Sequence, residues 1–156
     1  MRVYRLAKER AGKYRADDLS GAGAALAGGR WNPRGMAVVY TSCCASTALL
    51  EARVHSLGML PTAHLFLVTL EVPDDDCTQA LVPPMPDGWN ALDHDPLATV
   101  ALGRAWLEKG ETLAMKVPSV VCPMDFNLLL NPRHKNMRNV TVVDKQLFDI
   151  DRRLFD

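Results

Sequence analysis

The chain has 156 residues and a formal net charge of zero; 48% of its residues are hydrophobic and 23% are charged. This length suits a single domain with its own core, and the balanced charge gives no bulk attraction to nucleic acid or to a membrane surface. No apolar run reaches the roughly 18 residues that a membrane span needs, and the N-terminus is too polar for a secretory signal, so we expect a cytoplasmic protein.

From the N-terminus, a first strand is predicted over residues 3–6. The Gly/Ala composition of residues 21–29 indicates a loop. Leu26 stands where a dinucleotide fingerprint needs its third glycine and no strand precedes the segment, which argues against a Rossmann fold. A second strand is predicted over residues 37–42.

A helix is predicted to begin at residue 45 or 46 and to run to about residue 57, where Gly58 ends it. Leu50, Val54 and Leu57 form one apolar stripe on this helix. Residues 64–72 are apolar on both faces, which predicts a strand in the interior of a sheet.

In the second half, residues 83–95 indicate a surface loop, and Asp95 with Pro96 predicts the start of a helix that ends at Lys109, before Gly110. Further strands are predicted over residues 112–117, 120–122 and 140–143. Strands outnumber helices and do not alternate regularly with them, so we predict an α+β fold in one domain covering residues 1–156.

Four cysteines are present, and they are Cys43, Cys44, Cys77 and Cys122. None forms a C-x-x-C pair, which suits a reducing compartment and lacks the ligand spacing of a zinc site, so we expect no metal. A nucleophilic Cys43 or Cys44 paired with a histidine stays open, although small buried thiols are commoner.

Residues 28–51 carry most of the candidate chemistry. Arg30 follows two glycines, and a guanidinium binds phosphate through a planar, permanently charged fork; a surface arginine beside a turn is the commoner case. The rings of Trp31 and Tyr40 could stack on a flat or cationic ring, or pack in the core.

Glu51 lies on the predicted helix among largely apolar neighbours. A carboxylate in such a position could stabilise the oxocarbenium-like transition state of glycosyl transfer. An exposed glutamate paired with Arg53 is the commoner alternative. Ser119 and Asn131, near predicted strand ends, could bind a ligand or cap turns.

The order of these residues resembles that of the RES-domain family, the toxins of bacterial RES–Xre toxin–antitoxin modules. The resemblance covers nearly the whole chain. It rests on residues 29–32 with Gly35, residues 39–42, Leu50–Glu51, Trp106–Leu107, residues 117–119 and residues 127–132. Arg30, Glu51 and Ser119 match the Arg, Glu and Ser after which the family is named.

The resemblance implies a compact fold similar to ADP-ribosyltransferases, with central mixed or antiparallel strands, flanking helices and NAD⁺ bound in a cleft. It implies an enzyme that depletes NAD⁺ as substrate, by phosphorolysis with inorganic phosphate or by hydrolysis. Some members are reported to modify a protein instead.

On this chain the resemblance assigns Arg30 to the pyrophosphate or the nicotinamide-side ribose, and Tyr40, with Trp31, to nicotinamide. It assigns Glu51 to the ribose, and Ser119 and Asn131 to orienting the ligand. Trp31 stands where many relatives have tyrosine, which keeps stacking but loses a phenolic hydrogen bond.

A phosphate acceptor would need further cations, for which Arg34, Lys116 and Arg133 are candidates. The implied partner is a small Xre-type helix-turn-helix antitoxin that blocks the NAD⁺ cleft, and a homodimer inside that complex stays open. The competing hypotheses are an ADP-ribosyltransferase that modifies a protein and a non-catalytic module that binds a nucleotide or a partner.

Overall fold

The structure is a computed structural model that describes residues 1–55, 64–91 and 95–154. Its six strands are β1 (Arg2–Glu9), β2 (Val39–Ser42), β3 (His64–Glu71), β4 (Ala114–Pro118), β5 (Phe126–Leu130) and β6 (Thr141–Leu147). They form one sheet in the order β4-β5-β2-β1-β3-β6. Every neighbouring pair is antiparallel.

The helices are α1 (Ala22–Ala27), α2 (Ala45–His55), α3 (Asp74–Thr78) and α4 (Leu97–Lys109), with short 3₁₀ turns at Lys135–Asn139 and Arg152–Leu154. The predicted α+β class is confirmed, and the sheet is antiparallel throughout. Strand β3 pairs on both sides, as its two apolar faces predict.

Side chains alternate between the two faces of the sheet, and each face has its own core cluster. The first cluster centres on β1, β3 and β5, and its large members include Val3, Val68, Leu70, Leu128 and Leu130. The second cluster lies on the opposite face, because the β5 residue between Leu128 and Leu130 belongs to it. It consists of Trp31, Val38, Trp106, Leu107, Met115, Val117 and Leu129.

Helix α4 is built as its sequence predicts. The Asp95 carboxylate accepts the backbone N–H of Leu97 at 3.0 Å, and Pro96 already has helical dihedral angles. Gly110 ends the helix in the left-handed conformation at φ 61°. Gly103 lets the helix approach the backbone of Trp31, since an added Cβ would lie 1.7 Å from the Trp31 carbonyl oxygen.

Two predicted elements are wrong. Residues 21–29 contain helix α1, because a short alanine run can form one and a half turns between Gly21 and Gly28, both of which have a positive φ. Residues 120–122 lie in the turn that joins β4 to β5, where Asp125 N–H bonds the Cys122 carbonyl at 2.8 Å. The apolar residues at 120–122 predict a strand, but here they form part of the turn in which the chain reverses.

The apolar stripe of α2 does not face the core. Leu50 is 37% exposed and Val54 is 56% exposed, whereas Thr47 and Ala48 are the residues that α2 buries. The predicted helix end at Leu57 and Gly58 lies outside the described residues. None of the described helices is long and apolar enough to cross a membrane.

Candidate active site

Strands β2 and β5 bring the central polar residues to one face. Their register pairs Ser42 with Asn127 and Tyr40 with Leu129. Cross-strand partners and residues two apart share a face, so Tyr40, Ser42 and Asn127 project to the face of the second core cluster. The chain then enters α2, which carries Glu51.

Glu51 is held by hydrogen bonds from two other elements. Its Oε1 accepts the Ser119 hydroxyl at 2.9 Å and the Asn127 amide Nδ2 at 2.6 Å. Among the described residues, its Oε2 accepts no hydrogen bond and is not sealed from solvent. The carboxylate is thus fixed through one oxygen and free to meet a ligand through the other.

The partners of Glu51 are themselves fixed, and Glu51, Ser119, Asn127 and Ser42 are together called here the Glu51 network. Ser42 donates its hydroxyl to Asn127 Oδ1 at 2.7 Å, which orients the amide so that Nδ2 points at Glu51. Ser119 is fully buried directly after β4, and its Oγ accepts the Cys122 N–H at 3.1 Å. A serine hydroxyl has one proton to donate, and Ser119 donates it to Glu51 while its oxygen accepts the Cys122 N–H.

Tyr40 forms a second polar centre on the same face. Its hydroxyl donates to Asn32 Oδ1 at 2.7 Å and accepts the backbone N–H of Trp31 at 3.2 Å. Burial raises the pKa of Tyr40 to about 12, so the phenol stays neutral at physiological pH. Gly29 permits this packing, because an added Cβ would lie 2.7 Å from the Tyr40 hydroxyl.

Arg30 lies beside this centre. Its Nη1 donates to the Trp89 carbonyl at 2.5 Å, and its positive charge favours the ionised form of Tyr40, which partly offsets the effect of burial on that pKa. A guanidinium has five N–H donors, so one carbonyl leaves most of its capacity for an anion. Arg30 and Tyr40 are thus brought together as neighbours.

Trp31 and Asn131 are placed differently from the other candidates. Trp31 is only 3% exposed, and its ring packs in the second core cluster, 6.1 Å from the Trp89 ring. Asn131 lies beyond the opposite end of β5 from Asn127, about 13 Å away at the usual strand rise. Its Oδ1 accepts the Arg133 N–H at 3.0 Å and so caps a turn.

Two of the three candidate phosphate-binding cations lie away from the Glu51 network. Lys116 pairs with Leu128 and stands over the Phe126 ring at 4.0 Å, which places it on the opposite face of the sheet. Arg133 follows Asn131 at the far end of β5. Arg34 lies in the same loop as Arg30, residues 28–38, which is called here the Arg30 loop, and its Nε bonds the Ala27 carbonyl at 3.3 Å.

Three residues of the site, Asn127, Ser42 and Asn32, have no role predicted from the sequence. Asn127 lies inside the Asn-Leu-Leu-Leu-Asn-Pro motif, but only the strand register shows that it faces Glu51. Asn32 follows Arg30 and Trp31 closely, and its Nδ2 also bonds the carbonyls of Ala24 and Met36. A buried asparagine with this many partners organises a loop, and the sequence shows only a polar residue before a proline.

The site therefore combines a fixed carboxylate with one free oxygen, a guanidinium with free donors and a neutral phenol. A carboxylate stabilises a developing cation, and a guanidinium binds a phosphate. These groups lie on the same face of the sheet and can therefore stabilise a developing positive charge and bind a phosphate.

Residues 2–151 match the sequence profile of the RES domain family. Since the match covers nearly the whole chain and curated relatives agree with it, the chain belongs to the RES domain family. The resemblance inferred from Arg30, Glu51 and Ser119 is thereby confirmed at the level of the family.

Three comparisons describe its relatives. The chain is 40% identical over 142 residues, 87% of either chain, to a protein of Sphingobium sp. named Prs ADP-ribosylating toxin. It is 35% identical over 155 residues, 99% of either chain, to Toxin Res of Yersinia enterocolitica. Its fold matches a chain in the crystal structure of the M. tuberculosis MbcT–MbcA toxin–antitoxin complex, with TM-score 0.67, 19% identity and coverage of 99% of this chain and 86% of that one.

Proposed function

We propose that the chain is the toxin of a toxin–antitoxin pair and that it cleaves the bond between nicotinamide and ribose in NAD⁺. The observation that carries the proposal is the fixation of Glu51 by Ser119 and Asn127, with its second carboxylate oxygen left for a ligand. The names of the curated relatives support the toxin assignment.

Binding of NAD⁺ uses Arg30 and Tyr40. The pyrophosphate of NAD⁺ carries the negative charge that a guanidinium binds bidentately, and Arg30 has donors left after its bond to Trp89. Tyr40 provides a flat, neutral ring beside that charge, against which the nicotinamide packs. The Trp31 ring is buried, so Trp31 supports the site through its backbone N–H, which bonds the Tyr40 hydroxyl.

Bond cleavage depends on Glu51. The C–N bond breaks with both electrons going to nicotinamide, which leaves as a neutral ring and needs no general acid. The positive charge then spreads over the ribose ring oxygen and C1′, and a carboxylate near it lowers the barrier. Ser119 and Asn127 keep that carboxylate in place, so little reorganisation is needed in the transition state.

The cation is captured by an oxygen nucleophile. Water gives ADP-ribose and a proton, and inorganic phosphate gives the corresponding ribose 1-phosphate ester. Of the three cations considered for a bound phosphate, Arg34 is the one in the Arg30 loop. If inorganic phosphate is the co-substrate, Arg34 is the residue that would bind it in this proposal.

The experiment is NAD⁺ turnover by the purified protein, with and without inorganic phosphate, with products separated by chromatography and identified by NMR. We expect nicotinamide release that falls about 100-fold or more in Glu51→Gln, as for loss of a main electrostatic stabiliser. Glu108→Gln, an exposed glutamate change on α4, is the matched control and keeps full activity. Equal turnover in a folded Glu51→Gln protein contradicts the proposal.

A second candidate is transfer of ADP-ribose to a protein side chain. The Sphingobium relative, which is 40% identical to this chain, is named an ADP-ribosylating toxin, and this favours it. The same carboxylate and guanidinium serve this reaction, and only the nucleophile differs. Incubation with NAD⁺ labelled in the adenosine half distinguishes the two: label retained on a protein band indicates transfer, and label only in small molecules indicates cleavage.

The partner would be an Xre-type helix-turn-helix antitoxin that covers the cleft. The toxin–antitoxin complex whose chain shares this fold supports an antitoxin as the partner. Helix α2 offers a docking surface, because Leu50 and Val54 are exposed on the helix that carries Glu51. A partner that buries these side chains would come close to Glu51 and could block access to it.

A further inference from the structure

Two cysteines and one aspartate meet next to Ser42 and the turn that carries Ser119, and a third cysteine lies in that turn. Cys43 and Cys44 join β2 to α2, and Asp125 directly precedes β5. One ligand atom from each of these three residues lies within 4.8 Å of the others. Cys122 lies in the same turn as Asp125, and its carbonyl oxygen accepts the Asp125 N–H at 2.8 Å.

The backbone holds this group together. The Cys43 N–H bonds the Phe126 carbonyl at 3.0 Å, and the Ser119 N–H bonds the Asp125 carbonyl at 3.0 Å. The Asp125 carboxylate accepts hydrogen bonds from Thr47 and, at 3.6 Å, from Cys44. Two segments far apart in the sequence are therefore fixed against each other before any ligand binds.

The donor set fits one kind of metal. Zinc binds thiolates at about 2.3 Å in a tetrahedron, which places neighbouring ligand atoms roughly 3.8 Å apart. The ligand atoms of Cys43, Cys44 and Asp125 lie within 4.8 Å of one another, and Cys44 Sγ is 3.6 Å from an Asp125 carboxylate oxygen, close to that spacing. Thiolates alone would also suit monovalent copper, but the carboxylate oxygen favours zinc.

We propose that Cys43, Cys44 and Asp125 bind a zinc ion, with Cys122 as the fourth ligand. The prediction of no metal rested on the absence of C-x-x-C spacing. The fold supplies the ligands from a Cys-Cys pair and a distant turn, an arrangement that no local spacing shows.

The proposed ion would connect the two halves of the Glu51 network. Cys44 directly precedes α2, which carries Thr47 and Glu51, and Cys122 and Asp125 belong to the turn that carries Ser119. A bound zinc ion would hold the start of α2 and this turn together more firmly. The site is separate from the NAD⁺ chemistry, and its binding can be measured without NAD⁺.

The test is Zn²⁺ binding by the whole reduced protein in competition with a chromophoric chelator. We expect one ion per chain, and an affinity at least about 10-fold lower in Cys44→Ser and in Asp125→Asn, as for loss of a metal ligand or its support. Cys77→Ser removes the cysteine on α3, away from the cluster, and is the matched control with unchanged affinity.

Co²⁺ gives a second readout, because thiolate ligands produce a charge-transfer band that oxygen and nitrogen ligands do not. We expect the band in the wild-type protein and in Cys77→Ser, and a weaker band in Cys43→Ser and Cys44→Ser. Circular dichroism shows whether each variant is folded. If a cysteine variant is unfolded, the Zn²⁺ affinity of Asp125→Asn tests the proposal instead. No stoichiometric binding, or equal binding by the cluster variants and Cys77→Ser, overturns the proposal and leaves the NAD⁺ proposal untouched.

Discussion

At the scale of single residues, the site depends on how Glu51 is held. One oxygen accepts two hydrogen bonds, from Ser119 and from Asn127, and the other accepts none from the described residues. Each donor is in turn fixed by its own partner, Cys122 N–H for Ser119 and Ser42 for Asn127. Ser119 therefore acts through Glu51 in this arrangement and positions it.

We expect Ser119→Ala to lower kcat/KM for NAD⁺ cleavage by about 3- to 10-fold, the loss of one net hydrogen bond of roughly 0.5–1.5 kcal/mol. Glu51 stays attached through Asn127, so the effect remains smaller than that of Glu51→Gln. Ser20→Ala, an exposed serine change outside the site, is the control in the same turnover assay. A loss as large as that of Glu51→Gln would mean that Ser119 contacts the reacting atoms.

At the scale of elements, the Arg30 loop is set by helix α4. Gly103 brings α4 against the Trp31 backbone, and Trp31 in turn donates its backbone N–H to the Tyr40 hydroxyl. The contact is between backbones, so no side-chain rotation can relieve it. The helix thus determines where the Tyr40 hydroxyl and the neighbouring Arg30 lie.

Gly103→Ala is expected to lower the free energy of unfolding by about 3 kcal/mol, the upper range for overpacking a core. Urea denaturation followed by circular dichroism measures it. Gly23→Ala is the matched control: an added Cβ meets nothing within 4 Å, and alanine favours helix α1, so this variant should be slightly more stable than the wild type. Equal stability of the two variants would show that the α4–Trp31 contact can be relieved easily.

At the scale of the whole molecule, an ion pair ties the edge of the sheet to the N-terminal segment. Lys145 on edge strand β6 bonds Glu9 at the end of β1 and lies 3.5 Å from Asp17. The Lys145 hydrogen bond lowers the pKa of Glu9, and Glu9 raises the pKa of Lys145. These interactions join strands β1 and β6, which are separated in the sheet by β3.

The pH dependence of stability follows from those shifts. A carboxyl group whose pKa is lowered on folding stabilises the fold above its ordinary value of 4.5 and loses that contribution as the pH falls through the lowered pKa. Lys145, with a raised pKa, contributes below its ordinary value of 10.5 and loses that contribution as the pH rises through the raised pKa.

We therefore expect Lys145→Met to be less stable than the wild type at pH 7, with a smaller difference at pH 3. Denaturation curves of both proteins at the two pH values provide the measurement. Methionine keeps most of the side-chain length, so its contact with Phe66 remains and the charge is what changes. A difference that stays constant with pH would assign the effect to packing.

Leu50 and Val54 form an exposed apolar stripe on the surface of α2. Val54→Asp places a charge where an apolar contact with the antitoxin is expected, and it should weaken toxin–antitoxin affinity by at least about 10-fold. Val54 has no place in the NAD⁺ chemistry, so turnover by the free toxin should be unchanged. Co-purification and calorimetric titration with the antitoxin measure the effect, and Leu97→Asp on α4 is a control at another exposed apolar residue.

The amino-acid sequence by itself determined the elements whose signals are local. The caps of α4 and the alternation in β3 depend on residues that are neighbours in the chain, and both were predicted. The order of Arg30, Glu51 and Ser119 indicated the family, which the comparison with relatives shows.

Only the tertiary structure decided which polar groups meet. Asn127 reaches Glu51 because β5 pairs with β2 in one register, and a shift by one residue would turn it to the other face. The same pairing sends Lys116 to the opposite face and brings Asp125 to Cys43 and Cys44. Contacts of this kind depend on strand register and turn geometry between distant segments, and local propensities do not contain that information.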